Sequence, residues 1–116
     1  MPSPSYFEDF EVGAIQEFGE YKVTEKEIID FAEKFDPQPF HLSEEAGQAM
    51  HFGGLCASGW HTCSMAMRMI VEHMPKENNG ALGSPGIDEI RWKKPVFPGD
   101  VLRMRSTILE IGRAHV

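Results

Sequence analysis

Cysteine is scarce in this 116-residue sequence, limited to Cys56 and Cys63. The two fall seven residues apart in an expected helix, so they are not expected to pair with each other. That excludes a disulfide scaffold and fits reduced thiols. Long apolar runs are also missing. The apolar stretches break within about ten residues, so no segment is long enough for a bilayer. The first residues, MPSPSYFEDF, hold neither a basic n-region nor an apolar h-region. No signal peptide is therefore expected, and the expected location is cytoplasmic. Internal repeats, low-complexity tracts and linkers are absent as well.

What is present fits one ordinary domain over residues 1–116. Hydrophobic residues make up 41% and charged residues 25%, which excludes collagen-like and disordered classes. A chain of this size buries about 65% of its unfolded surface, enough for a core without staples.

The charge is divided unevenly. Residues 1–50 carry 12 acidic and 3 basic residues, whereas residues 51–116 carry 6 acidic and 8 basic. The total of −7 disfavours nucleic acid, because a duplex repels most of such a surface. Arg91, Lys93, Lys94, Arg103 and Arg105 nevertheless cluster within 15 residues. That patch suits either a solvated strand face or a small phosphorylated ligand.

The periodicities predict an α+β order. Residues 15–23 have strand composition. Thr24 with Glu27 forms a capping-box pattern opening a helix that runs to Phe35 and stops at Pro37 and Pro39. Ile28, Phe31, Ala32 and Phe35 share one face of it. Ser43 opens a short second helix. Ser58 opens the longest one, over about 59–74, with Trp60, Cys63, Ser64, Met67, Ile70, Val71 and Met74 as an apolar stripe. That helix is expected to be central and buried, and to stop at Pro75. Residues 87–96 and 101–111 alternate as strands around a Pro98-Gly99-Asp100 turn, with Arg103 and Arg105 on the open face.

Chemistry concentrates in Phe35-Asp36-Pro37-Gln38-Pro39-Phe40-His41. The two prolines restrict the loop, so a carboxylate and an imidazole can be held at fixed separation. An acid and a base over one small molecule is what addition of water to a polarised double bond requires. The plainer alternative is that Asp36 caps the second helix and His41 packs beneath it. Downstream, Gly59 falls at the first turn of the long helix, where backbone N–H groups lack intrahelical partners. Such an N–H can stabilise a developing oxyanion on a thioester; a glycine needed only for close packing is the alternative. His41, His51 and His61 do not have metal-site spacing. Cys63 reads as an inert buried thiol, and Gly53-Gly54 matches no nucleotide-binding motif.

Three segments together carry a resemblance: FAEKFDPQPFHLSEEAG at 31–47, FGGLCASGWHT at 52–62 and WKKPVFPGDVL at 92–102. They resemble the MaoC-like dehydratases, the (R)-specific enoyl-CoA hydratase family with the hot-dog fold. The likeness covers about residues 6–110. It implies an antiparallel sheet wrapped around a long central helix. It places Asp36 and His41 on the family's two catalytic positions, with Pro39 and Phe40 between them. Gly59 falls on the glycine whose N–H serves the thioester carbonyl. Phe40, Ser58, Trp60, Arg91, Lys93 and Lys94 become candidates for binding the substrate. Gln38 stands where the motif usually has Asn, Phe35 where Gly is common, and Ser58-Gly59-Trp60 replaces a His-Gly-hydrophobic run. Phe35 and Trp60 are therefore expected to reshape the pocket.

The resemblance implies hydration or dehydration of an acyl-CoA thioester, with no metal or organic cofactor beyond that substrate. It also implies pairing into a homodimer or larger homo-oligomer, with no membrane partner. The family fold carries two further strands after Ile111. Their absence from this sequence leads us to expect a truncated chain, or one completed by a partner. Two other classes remain open: a hot-dog thioesterase, distinguished by release of free thiol, and a non-catalytic acyl-CoA-binding or structural half of a larger assembly, distinguished by size.

Overall fold

A computed structural model describes residues 12–74 and 86–109. In chain order its elements are β1 (Ile15–Lys22), α1 (Glu25–Phe35), a single 3-10 turn (Pro39–His41), α2 (Glu44–Gln48), α3 (Gly59–His73) and β2 (Val101–Thr107). β1 and β2 pair antiparallel, from Ile15 opposite Thr107 to Lys22 opposite Val101. The register shifts between Phe18 and Tyr21. Gly19 occupies this irregularity at φ +80°, where a β-carbon would lie 2.8 Å from Met69 Sδ. The strand can bend closely over α3 because that residue has no side chain.

The helix starts follow the sequence pattern. The Thr24 side chain accepts a hydrogen bond from Glu27 N–H at 3.2 Å, and the Glu27 carboxylate in turn accepts from the hydroxyls of Thr24 and Tyr21. Ser43 caps α2 by accepting from Ala46 N–H, and Ser58 caps α3 by accepting from Trp60 N–H. Each such cap holds about 1 kcal/mol of helix stability.

Val23, Ile28, Leu55, Ala57 and Met65 form the core, with Tyr21, Ile29, Val96 and Leu102 packed against it. Fully burying a side chain such as Ile28 or Leu55 contributes about 1.5–3 kcal/mol. Leu102, Met104 and Ser106 turn inward on β2, while Arg103 and Arg105 point outward as their alternation requires.

Two expectations need correction. The buried face of α3 is His61, Met65 and Met69; the expected stripe includes Trp60, Met67 and Val71, each more than half exposed. Apolar residues occur all round α3, so periodicity could not choose the buried face. Packing chose it: Gly19 of β1 admits Met69, and Phe31 of α1 stacks on His61 with centroids 4.8 Å apart. Second, residues 87–96 form no strand. Pro95 lacks a ladder donor, and the described residues place no strand beside this segment. It is anchored instead where Ala57 N–H donates to Val96 O at 2.8 Å. The Pro98-Gly99-Asp100 turn forms as expected, with Asp100 N–H donating to Phe97 O. Pro75, the run 76–80 and the segment after Leu109 lie outside the described residues.

Candidate active site

Asp36 ends α1 as its C-cap, and its N–H donates to Ala32 O. Pro37 forbids helical continuation. Pro39 then opens the 3-10 turn that carries Phe40 and His41. These backbone restrictions bring His41 Nε2 to 3.5 Å from Asp36 Oδ2. Asp36 does not cap α2, since Ser43 fills that position. His41 is buried, but its ring forms part of a cavity wall.

The His41 ring is fixed from the other side. Nδ1 donates to the Cys56 carbonyl at 2.7 Å. A carbonyl only accepts, so Nδ1 carries a proton in this contact and Nε2 is the ring nitrogen left on the other side. Nε2 faces the Asp36 carboxylate. The strip holding the Cys56 carbonyl is itself clamped. Leu55 N–H donates to Glu44 Oε2 at 2.9 Å, Cys56 N–H to Phe40 O at 3.4 Å, and Ala57 N–H to Val96 O. Burial pushes the Cys56 thiol up from its ordinary pKa.

Asp36 accepts from Gln38 Nε2 at 2.7 Å on Oδ1 and from Ser58 Oγ at 2.7 Å on Oδ2. The Gln38 hydrogen bond holds the carboxyl below its ordinary pKa, with Ser58 and His41 adding to this and burial opposing it. Asp36 is therefore an anion at neutral pH. The Ser58 hydroxyl performs two tasks, since it also accepts from Trp60 N–H at 3.3 Å. One buried oxygen thus ties the carboxylate to the first turn of α3.

A cavity of about 480 Å³ opens over His41, within the usual size range for small-molecule sites. Phe40, His51, Phe52, Cys56, Gly59, Thr62, Trp92, Lys93 and Lys94 are among its lining residues. Gly59 presents an N–H that has no partner among the described residues, at the positive end of α3. Trp92 lies against it, with its indole N–H donating to Gly59 O at 3.0 Å.

The predicted site residues therefore divide. His41, Phe40, Gly59, Lys93 and Lys94 share the cavity wall; Asp36 is not among the lining residues, and its side chain, 20% exposed, lies 3.5 Å from His41 Nε2. Ser58, at 1% exposure, is buried behind the wall. Its hydroxyl donates to Asp36, and it is not among the lining residues of the cavity. Trp60 is outside the cavity, edge-on to Trp92. Phe35 is 64% exposed and does not shape the cavity. Arg91 pairs with Glu89 at 3.0 Å, and Arg103 and Arg105 lie on the outer face of the sheet, where Glu17 sits opposite Arg105. Sequence reasoning gave no role to Trp92, His51, Phe52 or the Cys56 carbonyl. Only Gln38 left a signal, as an amide two residues from the carboxylate it binds.

The model of the MaoC like domain matches residues 9–114. The chain belongs to the MaoC-like domain family. The protein YdeM of Bacillus subtilis (strain 168), described as uncharacterised, is 30% identical over 104 residues, covering 90% of this chain and 71% of YdeM. Among solved structures, the MaoC-like dehydratase from Rhodospirillum rubrum is 38% identical at a TM-score of 0.75, covering 92% of this chain and 72% of that one. The R-hydratase PhaJ1 from Pseudomonas aeruginosa shares the fold at a TM-score of 0.63 and 24% identity, covering 88% of this chain and 63% of that one. The architecture is therefore that of a MaoC-like hot-dog domain, with two strands among the described residues. No described helix is long and apolar enough to cross a membrane.

Proposed function

We propose that this MaoC-like chain is a hydro-lyase that adds water to, or removes it from, an enoyl-CoA or 3-hydroxyacyl-CoA thioester. The observation that carries the reading is the closeness of Asp36 Oδ2 and His41 Nε2, 3.5 Å apart with the Nδ1 proton committed elsewhere; in the proposed reaction both act as proton acceptors. A water molecule offers the two donors that such a pair lacks. Its family membership and its likeness in fold to an R-hydratase support the same chemistry.

In hydration, the water oxygen bonds to the β-carbon of the enoyl group as a water proton passes to His41 Nε2. The imidazolium that forms is stabilised by the Asp36 anion beside it. Electrons of the double bond move toward the thioester carbonyl, and Gly59 N–H stabilises the resulting enolate oxygen. The Nε2 proton then passes to the α-carbon, leaving a 3-hydroxyacyl-CoA and the original state of His41. Lys93 and Lys94 at the cavity rim suit the CoA phosphates. The exposed apolar residues Trp60, Met67 and Val71 on α3 support assembly with a second copy of the chain.

The test is consumption of crotonyl-CoA by the purified chain, followed as loss of enone absorbance with free thiol assayed in parallel. We expect hydration without thiol release, and about 10²–10⁴-fold slower turnover in Asp36→Asn and His41→Ala. Thiol release by the parent indicates a thioesterase instead. A folded but inert parent rejects the assignment.

A further inference from the structure

We infer that Trp92 is a specificity-determining residue that restricts the cavity to short, unbranched acyl groups. The inference rests on the acyl-CoA reading of this site and names its substrate class. A β-carbon placed on Gly59 would lie 2.4 Å from Trp92 Cε2 and 2.7 Å from its Cδ2 and Nε1. The indole thus covers the Cα side of Gly59, whose N–H meets the thioester carbonyl in the proposed reaction. Two contacts fix the ring there. Its N–H donates to Gly59 O at 3.0 Å, and Trp60 meets it in an edge arrangement with centroids 5.3 Å apart. Trp92 itself is 51% exposed, so these two contacts rather than burial hold its ring against Gly59. Trp92 also precedes Lys93 and Lys94, so the chain that offers cations at the rim offers the ring at the reacting centre. An acyl group whose carbonyl oxygen rests on Gly59 N–H passes beside this ring. Extra methylenes or an α-branch meet the indole there.

The experiment measures calorimetric binding of saturated butyryl-CoA and octanoyl-CoA to the parent, Trp92→Leu and Trp92→Phe, with thermal melts to verify folding. Saturated thioesters cannot be hydrated, so the result does not depend on turnover. We expect the parent to favour butyryl-CoA and Trp92→Leu to move the affinity ratio toward octanoyl-CoA by about tenfold or more, the scale set by one or two methylenes in a fitted pocket. Trp92→Phe, which keeps an aromatic wall but loses the indole donor, should move it less; if Trp92→Leu does not fold, a shift in Trp92→Phe carries the test. An unchanged ratio in a folded variant overturns the inference. Equal weakening for both thioesters overturns it too, because the ring then supports only the CoA arm or the fold. Chain-length-selective binding that depends on Trp92, in a parent inert toward crotonyl-CoA, removes the hydratase reading and leaves the wall standing. No binding of either thioester defeats both.

Discussion

Replacing Ser58 by alanine should cost far more than the loss of one hydroxyl on a surface. Its Oγ accepts from Trp60 N–H at the start of α3 and donates to Asp36 Oδ2 at 2.7 Å. Losing the cap costs about 1 kcal/mol. Losing a hydrogen bond to a charged group costs about 1.5–3 kcal/mol. Asp36 retains its bond from Gln38 and is 20% exposed, so water replaces part of the second loss. We expect a net destabilisation of about 2–3 kcal/mol at neutral pH, read from urea unfolding with an unchanged m-value. The pH dependence separates the two parts. Asp36 has a depressed pKa in the folded chain, so the stability it supplies is present above its unfolded value and is lost as pH falls through its folded value. The difference between parent and Ser58→Ala should therefore shrink on acidification below pH ~4, leaving the cap contribution. Ser58→Thr, which keeps the hydroxyl, should recover part of the loss. A penalty below about 0.5 kcal/mol, or one that does not change with pH, would refute the shared-hydroxyl argument.

Two further perturbations test other parts of the site. Gly59→Ala sets a methyl carbon against the Trp92 ring at 2.4 Å, so the indole must shift; we expect about 1–3 kcal/mol lost in unfolding experiments, together with a marked fall in hydration rate. His61→Phe should instead stabilise the chain by about 1 kcal/mol at neutral pH, because His61 Nδ1 is buried with no hydrogen-bond partner among the described residues and such an atom carries a desolvation cost. Burial holds the His61 pKa below its ordinary value, against the pull of Glu27. The unfolded chain therefore gains a proton there before the folded one does, and stability falls as pH drops through the unfolded value of about 6.5. The phenylalanine variant should show a smaller loss of stability across that window in parallel urea titrations.

The local features were legible because each rests on neighbouring residues. Thr24, Ser43 and Ser58 cap the helices that their positions announce. Pro37 and Pro39 end α1 and start the turn, which is enough to put a carboxylate and an imidazole on one short loop. The alternation of β2 puts Arg103 and Arg105 outside without reference to any other element. The resemblance of three separated motifs to one family supplied the fold, and the match over residues 9–114 bears it out.

What the tertiary structure decided involves partners distant in sequence. The sequence assigns a proton to neither nitrogen of His41; the Cys56 carbonyl, a backbone group 15 residues away, holds a proton on Nδ1 and leaves Nε2 toward Asp36. Ser58 looked like a residue facing the ligand, but burial turns it toward Asp36, 22 residues earlier. Trp60 and Trp92 are alike in composition, yet Trp92 alone lines the cavity. On α3 an all-round apolar surface left the buried face open until β1, bent at Gly19, closed on Met69. Sequence order fixes caps, breaks and alternation because these act over a few residues. Facing, burial and proton placement depend on which surfaces meet, and those are set only when the whole chain is packed.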